Sequence, residues 1–288
     1  MSANRWRNLS PIRKLIGWTS WALTLAVLSL PFLYPFWWMI TSAFKTVGEI
    51  FAFPPTLLPA AWHWENFREV FTFQPFAQHY GNSLYIALLV TAGTLLVSSL
   101  AGYAFARISF KGSSIFFLLL LSGMMMPNEV TIIPNFITMK TLGWTNSHLP
   151  LIVIPILGMG GVLGTFMMRQ YFLNLPQDLE DAAMMDGLNR FGIYWYIALP
   201  IARPALTSVA ILTFLSSWNA FLEPLIYLDD IQLFTIPLSL RGFTDQYGTP
   251  LWNVQLAATA LAVLPILIFY VFAQRQVVES FSLSGTKG

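Results

Sequence analysis

The residues whose types could do chemistry are concentrated in one polar stretch, residues 173–206, which separates two long apolar segments. The carboxylates of its first half are Asp178, Glu180, Asp181 and Asp186. Carboxylates stabilise the positive N-terminal end of a helix and proline suits a first turn, so a short helix is predicted to begin near Pro176. Gly187 permits the turn that ends this helix, and Asn189 can cap a second one.

The first of these helices is expected to offer a smooth surface to a partner. Its residues that share one face at helical spacing are Leu179, Ala182, Ala183 and Asp186. Two interpretations compete: a helix lying on the inner leaflet, or a docking surface for another protein. Helices that lie on membranes are usually rich in Lys and Arg, and an acidic surface is repelled by anionic lipid. The sequence therefore favours a protein partner.

Composition identifies a lipid bilayer as the solvent of this chain. Of 288 residues, 56% are hydrophobic and 10% are charged, against about 25% charged in ordinary soluble domains. A membrane helix needs about 20 mainly apolar residues. Six segments meet or nearly meet this need: 16–40, 83–106, 113–130, 149–169, 203–227 and 253–274. The third is the weakest, because Pro127, Asn128 and Glu129 interrupt it.

The distribution of Lys and Arg predicts the orientation of these spans. With the N-terminus inside, eleven of these residues lie in inner segments and four in outer ones, and cytoplasmic loops carry such an excess. We therefore expect a cytoplasmic N-terminus, 1–15, a six-span domain, 16–275, and a cytoplasmic tail, 276–288. An outer connection, 44–81, is rich in Phe and Trp, for which packing at the lipid headgroups is favoured over a docking surface for an external partner.

Several kinds of site are excluded or poorly supported. The chain has no cysteine, which excludes disulfides, iron–sulfur clusters and thiol catalysis. Its basic residues sit singly, so a nucleic-acid partner is not expected. One glycine-rich run lacks the Lys-Ser/Thr ending of a phosphate loop and is expected to let helices approach closely. Its members are Gly158, Gly160, Gly161 and Gly164.

The run Glu-Asp-Ala-Ala-Met-Met-Asp-Gly at 180–187 resembles the signature loop of bacterial ABC importer permeases. The usual form of that loop is Glu-Ala-Ala, three residues and then Gly. Asp181 stands in place of the Glu, and Leu188 stands where the family mostly has Ala. The runs Asn82-Ser83-Leu84 and Ser217-Trp218-Asn219 are similar to the carbohydrate-importer branch, and within it to the shorter permease of maltose-type and glycerol-3-phosphate-type systems.

This resemblance implies an all-α integral membrane protein of the bacterial inner membrane, with six transmembrane helices and the type I ABC importer permease fold. The subunit would be non-catalytic and without a cofactor of its own, because two partner ATPase subunits would bind ATP and Mg²⁺. A second, homologous permease and an extracytoplasmic solute-binding protein would complete the assembly in membrane lipid. Residues 178–193 would form the coupling helix. The contacts with the ATPase that the resemblance implies are Glu180, Asp181, Ala182, Ala183, Asp186 and Gly187.

The resemblance also implies that the solute is a sugar or a sugar-like polyol. Polar residues within a span are costly and usually face protein or a cavity, and a Trp beside an amide suits a sugar ring. A second interpretation has equal support: the amide of Asn219 bonds a neighbouring helix, and the indole of Trp218 anchors the span at the membrane interface. The candidate residues of the solute pathway are Trp218, Asn219, Glu223, Asn128 and Glu129.

Three alternatives were weighed against this interpretation. A secondary transporter would place ionisable groups near the middle of its spans, and no predicted span has a carboxylate at mid-depth. A membrane-embedded enzyme would need a nucleophile–base pair or metal ligands on the spans, and the sequence offers neither. Within the ABC interpretation, glycerol 3-phosphate is an alternative solute, although no span interior carries a cation to pair with a phosphate.

Overall fold

The computed structural model describes residues 11–284, whose regular structure is helical apart from one isolated β-bridge between Thr244 and Pro250. Residues 1–10 and 285–288, which belong to the expected cytoplasmic ends, lie outside the described residues. The chain divides into two units. One comprises Met1–Thr72 and Phe243–Leu261, and the other comprises Phe73–Gly242 and Ala262–Gly288.

The first unit contains α1 (Pro11–Ser42), α2 (Val47–Ile50), most of α3 (Glu65–Phe73) and the start of α15 (Trp252–Ser284). The side chain of Asn66 organises the segment after α1. Its Nδ2 donates to the carbonyls of Ala43 and Lys45 at 2.9 and 3.0 Å. Its Oδ1 accepts from Asn253 on α15 at 2.8 Å. One buried amide thus joins the end of α1, helix α3 and helix α15.

Lys45 lies in the same segment and is fully buried. Its amine donates to the carbonyl of Thr56 and lies 4.3 Å from the ring centroid of Trp38. A carbonyl and an aromatic face together replace part of the water that a buried ammonium loses. Beside it, Phe44 packs edge-on against Trp64, with ring centroids 4.7 Å apart. Aromatic residues of the outer connection, 44–81, therefore pack in part against one another.

The second unit is built around α4 (Phe76–Arg107), which packs against α8 and α12. The other helices in chain order are α5 (Ser113–Ser122), α6 (Asn128–Thr141), α7 (Leu149–Leu157), α8 (Met159–Leu173), α9 (Asp178–Met185), α10 (Arg190–Ile193), α11 (Leu199–Ile201), α12 (Arg203–Trp218), α13 (Leu222–Tyr227) and α14 (Ile236–Leu240). A π-helical segment, Tyr194–Ala198, joins α10 to α11. The remainder of α15 completes this unit.

Close contact between α4 and α8 depends on glycine. A Cβ atom on Gly102 of α4 would lie 2.7 Å from the Cβ of Met168 and 2.9 Å from the backbone nitrogen of Arg169. From the other side, a Cβ atom on Gly164 of α8 would lie 2.8 Å from the Cβ of Ser98. Small residues allow such approach between membrane helices, so the close packing expected of Gly164 is confirmed.

The other glycines of that run serve a helix break, which corrects the expectation that they serve helix–helix packing. Gly158 lies between α7 and α8 with φ −92° and ψ −141°. A Cβ on Gly158, Gly160 or Gly161 would lie 2.7, 2.8 or 2.0 Å from a carbonyl oxygen of α7. The clashing atoms belong to the chain just before each glycine, so these positions are small because the fourth span is broken.

Four helices among the described residues are long and apolar enough to cross a membrane, or up to six spans if each of two bent pairs counts as one. The four are Trp18–Ser42, Phe76–Arg107, Leu149–Leu173 and Trp252–Val271. The bent pairs are Ser113–Met125 with Glu129–Thr141, at 103°, and Arg190–Ile201 with Arg203–Trp218, at 75°. Six crossings fit this arrangement, with two of the spans sharply bent and the fourth interrupted at Gly158.

The predicted extents of the third and fifth spans are wrong. The third does not run as one helix over 113–130, because α5 ends at Ser122 and α6 begins only after Pro127; proline disfavours helical backbone at the residue before it. The fifth does not continue to 227, because α12 ends at Trp218. In a continuous helix the ring of Pro224 would clash with the carbonyl of Ala220, and the chain breaks instead and begins α13 at Leu222.

Candidate functional site

The polar stretch after α8 folds as a helical hairpin, comprising α9, a turn and α10, and we call it the 178–193 hairpin. Gly187 forms the turn with φ +87°, a left-handed conformation that favours glycine. The amide of Leu188 donates to the carbonyl of Ala183, and the amide of Gly187 donates to the carbonyl of Met184, both at 3.0 Å. These two bonds form a Schellman motif that closes the C-terminus of α9.

The second helix of the hairpin begins at the predicted cap. The Oδ1 atom of Asn189 accepts from the amide of Gly192 at 2.8 Å, which satisfies a free donor of the first turn of α10. The predicted turn at Gly187 and the predicted cap at Asn189 are both confirmed. Pro176 lies before α9, which begins at Asp178, and therefore does not occupy its first turn.

One side of the hairpin is buried within the second unit. The hairpin contributes Ala183 and Ile193 to a buried cluster with the ends of α4 and α8, and the π-helical segment that follows it contributes Tyr194 and Ala198. The cluster residues from α4 and α8 are Tyr103, Met168 and Phe172. The hydroxyl of Tyr194 also lies 2.8 Å from the hydroxyl of Ser99 on α4. The hairpin is thus packed firmly against the two long helices rather than attached by its chain ends alone.

A buried carboxylate reinforces this attachment. The side chain of Glu180 is 6% exposed, and its Oε1 lies 3.3 Å from Nε of Arg107, which is 10% exposed. Its Oε2 accepts from Nη1 of Arg190 at 3.2 Å. Arg107 ends α4, and its Nη2 also donates to the carbonyls of Phe172 and Leu175 at the end of α8. The three charged side chains therefore join α4, α8, α9 and α10.

The burial of Glu180 and Ala183 corrects their expected role in the ATPase contact. Both residues face the interior of the second unit, Glu180 at 5% and Ala183 at 4% exposure. Neither side chain is free to contact another protein. The side chains of α9 and its turn that remain exposed are Asp178, Leu179, Asp181, Ala182, Met184, Met185 and Asp186. Of the six residues predicted for the contact, Asp181, Ala182, Asp186 and Gly187 are exposed.

Beside this exposed face, the second half of the hairpin and the π-helical segment after it form an open depression. Its lining residues are Gly187, Leu188, Asn189, Phe191, Gly192, Trp195 and Tyr196. The rings of Phe191 and Trp195 are stacked at 15° with centroids 6.4 Å apart, and they are 66% and 49% exposed. An acidic helix next to exposed stacked aromatic rings offers both charge and apolar area to a partner.

Arg107 and Arg190 were missed as site residues when the sequence was considered alone. Their charges counted only toward the orientation of the spans. The signal that could have found Arg107 is its position at the end of a long apolar segment, where an arginine can bond the free carbonyls of a helix end. Its partner Glu180 lies far away in the sequence, and no local pattern connects the two.

The structure does not bring the candidate solute residues together. Trp218 is 2% exposed, and its indole N–H donates to the carbonyl of Ala262 at 3.2 Å. Its ring is stacked on Phe214 at 13° with centroids 5.9 Å apart. The predicted contact between Trp218 and a sugar is therefore wrong for this structure, because neither the face nor the N–H of the indole is free. Its role is packing.

The other candidates lie apart from one another. Asn219 is exposed and its amide donates back to the carbonyl of Leu215 at 2.8 Å, which closes the end of α12. Glu129 is exposed at the start of α6, and the side chain of Asn128 lies outside the described residues. Neither Asn219 nor Glu129 lines the cavity that Glu223 faces. Of the described candidates, only Glu223 retains a place on a possible solute route.

That cavity has a volume of about 180 Å³ and lies within the second unit. Its lining residues are Ile86, Val90, Pro150, Leu151, Ile154, Pro155, Gly160, Thr213, Ser216, Ser217, Ala220, Glu223, Pro224 and Thr235. Both helix breaks border it, since Gly160 follows the break at Gly158 and Ala220 lies in the break after α12. The sequence indicates Ser217 only as part of a motif. Thr213 and Ser216 lie on the same helix, α12, but no motif includes them, and Thr235 comes from a separate segment.

Comparisons with known proteins agree with this architecture. Residues 93–282 match the model of a family described as the binding-protein-dependent transport system inner membrane component. The arabinooligosaccharides transport system permease protein AraQ of Halalkalibacterium halodurans is 35% identical, over 98% of this chain and 99% of its own. The trehalose/maltose transport system permease protein MalG of Thermococcus litoralis is 32% identical, over 89% and 92%.

A solved structure shares the fold. The protein is a bacterial ABC transporter involved in the import of the acidic polysaccharide alginate, and the similar chain gives a TM-score of 0.75 at 20% identity. The match covers 93% of this chain and 98% of that one. The family match, the relatives and the apolar helices together show what the chain is. It belongs to the binding-protein-dependent inner membrane components and is a multi-pass permease subunit of an ABC importer.

Proposed function

We propose that this chain carries a sugar or a sugar-like polyol across the inner membrane, and that it couples ATP binding by partner subunits to alternating access. The family match over 93–282 carries this proposal, because such components work with a solute-binding protein and ATPase partners. The names of the relatives supply the solute class: arabinooligosaccharides for one and trehalose or maltose for the other. The same observations favour an ABC importer over a secondary transporter.

The finer composition of the assembly is part of the proposal. A second, homologous permease pairs with this chain, and two ATPase subunits bind on the cytoplasmic side. ATP and Mg²⁺ are bound and ATP is hydrolysed by those subunits, so this chain is non-catalytic and holds no cofactor. Both termini are cytoplasmic, as the excess of Lys and Arg in alternate segments supports. This orientation places the 178–193 hairpin in the cytoplasm.

The hairpin is the element that we propose to couple the two processes. Its exposed side, with Asp181, Ala182 and Met185, is free to contact an ATPase subunit. Its buried side is fixed to α4 and α8 through Glu180 and Arg107. When closure of the ATPase dimer displaces the exposed side, the attached helices move with it as a body. Such switching is a rigid-body rearrangement about an interface, and ATP drives it only by binding the two states with different affinity.

Thiol cross-linking in the assembled transporter tests the proposed contact, because the natural chain has no cysteine. Met185→Cys places a thiol at a residue that is 89% exposed on α9. Tyr247→Cys, at a residue that is 84% exposed in the connection between α14 and α15, is the matched control. A short thiol-to-amine reagent should join the first variant, but not the second, to an ATPase subunit.

The same preparation tests the proposed activity. In proteoliposomes loaded with ATP and supplied with the solute-binding protein, uptake should persist when ionophores collapse all ion gradients. Uptake that follows an ion gradient and ignores ATP would overturn the ABC function. Equal cross-linking of Met185→Cys and Tyr247→Cys in an intact complex would overturn only the coupling role of the hairpin.

A further inference from the structure

The cavity beside Glu223 has two chemically different walls. The apolar wall comes from α4 and α7, with Ile86, Val90, Leu151 and Ile154. The polar wall comes from α12 and the segments that follow it, with Thr213, Ser216, Ser217, Glu223 and Thr235. A sugar ring has the matching division, since C–H groups cover its faces and hydroxyl groups project from its edge. Ligand sites commonly combine an apolar lining with a few polar groups that fix orientation.

Thr235 supplies an independent sign that the cavity is a site. The residue is 5% exposed, and its hydroxyl is buried without a hydrogen-bond partner in the described part of the chain. It stands at the N-cap of α14 with extended backbone, φ −94° and ψ 165°, yet its side chain does not cap the helix. The hydroxyl of Ser83 accepts from the amide of Ile236 instead, at 2.7 Å. The Thr235 hydroxyl therefore forms no hydrogen bond that stabilises the fold.

A hydroxyl in this position has no structural duty that explains its burial. Buried polar groups are nearly always hydrogen-bonded, and a bound molecule is one partner that accounts for an exception beside a cavity. Valine has almost the same shape as threonine and would line the cavity without leaving a polar atom unpaired. A hydroxyl group of a bound solute would be the missing partner, because it can both donate to and accept from Thr235.

Glu223 determines which charge the cavity accepts. It lies in the first turn of α13 and is half-buried. Among residues 11–284, no hydrogen bond or ion pair to its carboxylate is formed, and the residues that line the cavity include no Lys or Arg. A carboxylate forms strong, charge-assisted hydrogen bonds with hydroxyl donors. It repels an anion, and this repulsion is large where water is partly excluded.

We propose that this cavity is a binding site for neutral, polyhydroxylated solutes within this subunit, in which Thr235 and Glu223 bond solute hydroxyls and Glu223 excludes anions. The proposal rests on the proposed function. It adds the location of the solute site and the requirement that the solute carry no negative charge. It makes the phosphorylated solute considered from the sequence a poor ligand, since a phosphate would meet a carboxylate and no cation. It also moves the expected site from Trp218 and Asn219 to residues on the far side of the break after α12.

Protection of an introduced thiol tests the site in the assembled permease–ATPase complex without the solute-binding protein. Ala220→Cys places the only thiol of the chain on the cavity wall, and its reaction with a small, water-soluble methanethiosulfonate reports access to the cavity. The probes are trehalose and maltotriose, which are neutral, and trehalose 6-phosphate, which carries an anionic group on the same sugar. The neutral probes at millimolar concentration should slow labelling about tenfold, and trehalose 6-phosphate should not.

Two substitutions in this background separate the roles of the residues. Thr235→Val should reduce protection by trehalose about tenfold, and Thr235→Ser, which keeps the hydroxyl, should restore it. Glu223→Gln keeps an acceptor but removes the charge, so trehalose 6-phosphate should then protect the thiol clearly better than it does in the parent complex. The control is Glu69→Gln, at an exposed glutamate of α3, which should leave the preference for neutral probes unchanged. Gel filtration confirms that each complex remains assembled.

The outcomes distinguish this proposal from the proposed function. Equal protection by trehalose and trehalose 6-phosphate in the parent complex would overturn the charge rule. No protection by either neutral probe, or protection that Thr235→Val leaves intact, would overturn the site. In both cases ATP-driven uptake through the solute-binding protein could continue, and the proposed function would stand. Loss of ATP dependence in the parent complex would instead overturn the proposed function.

Discussion

The Oε1 atom of Glu180 lies 3.3 Å from Nε of Arg107, so that a carboxylate of the 178–193 hairpin is neutralised by a guanidinium at the end of α4. Arg107 also bonds the carbonyls that end α8. Both charged groups have lost most of their water, and such a pair is costly to break because the remaining charge is left buried. The pair therefore acts as a joint between the hairpin and the two helices that carry it.

Glu180→Gln should weaken this joint with little change in shape. Removing one partner of a buried ion pair costs about 3 kcal/mol of folding free energy, which should appear as a lower melting temperature of the purified complex. Because the hairpin is then held less firmly to α4, less solute should be moved per ATP hydrolysed. The matched control is Asp178→Asn, an exposed carboxylate in the first turn of the same helix. Equal effects of the two substitutions would contradict the joint.

Substitutions of Gly187 should rank by their tolerance of left-handed backbone. A Cβ at this residue would meet no atom within 4 Å, so the penalty comes from φ +87° alone. Left-handed backbone costs an ordinary residue about 1–2 kcal/mol, and asparagine tolerates it best. We expect transport per ATP to fall in the order glycine, asparagine, alanine, valine, while the complex still assembles. Normal coupled transport by Gly187→Val would contradict a coupling role for this turn.

Gly102→Ala should separate α4 from α8. The added methyl group would overlap Met168 and the backbone of Arg169, and overpacking of this kind costs about 1–3 kcal/mol. The melting temperature of the complex should fall. Gly81→Ala is the control in the same helix, because a Cβ there would meet nothing within 4 Å. A melting temperature unaffected by Gly102→Ala would show that the two helices can move apart without cost.

Trp218→Phe should change stability and leave solute affinity alone. The substitution removes the indole N–H that donates to Ala262 and keeps a ring that can stack on Phe214. Loss of one hydrogen bond of this kind is worth about 1 kcal/mol. Uptake measured against solute concentration should give an unchanged KM. A KM raised tenfold would return Trp218 to the solute pathway.

Features set by local chemistry were predictable from the sequence. The turn at Gly187 follows from the conformational freedom of glycine, and the cap at Asn189 follows from the reach of its short side chain. The four spans without a sharp bend were found because long apolar runs carry their own signal. In each case the residues that determine the feature lie within one helix or one turn of each other.

Features set by distant residues were not predictable in this way. Glu180 looked like a surface carboxylate because four helices, α5 to α8, separate it in the chain from Arg107. Trp218 looked like a sugar platform because Ala262, whose carbonyl accepts from its indole, lies 44 residues further along the chain. Only Phe214, four residues earlier on α12, could have been placed beside it from the sequence. The ends of the third and fifth spans were missed for a different reason, because the apolar runs continue past Pro127 and Pro224 and hydropathy does not register the helix break that a proline causes.

The two interrupted spans beside the cavity have a consequence for biosynthesis. Where α7 gives way to α8 and where α12 ends, carbonyl and amide groups are released from the regular helical ladder. Hydrocarbon cannot satisfy them, and such backbone is stable at membrane depth only when protein or water surrounds it. Neither segment is therefore stable in lipid as an isolated helix. Each should insert less stably as an isolated segment than within the whole chain, where neighbouring helices and the cavity surround the break.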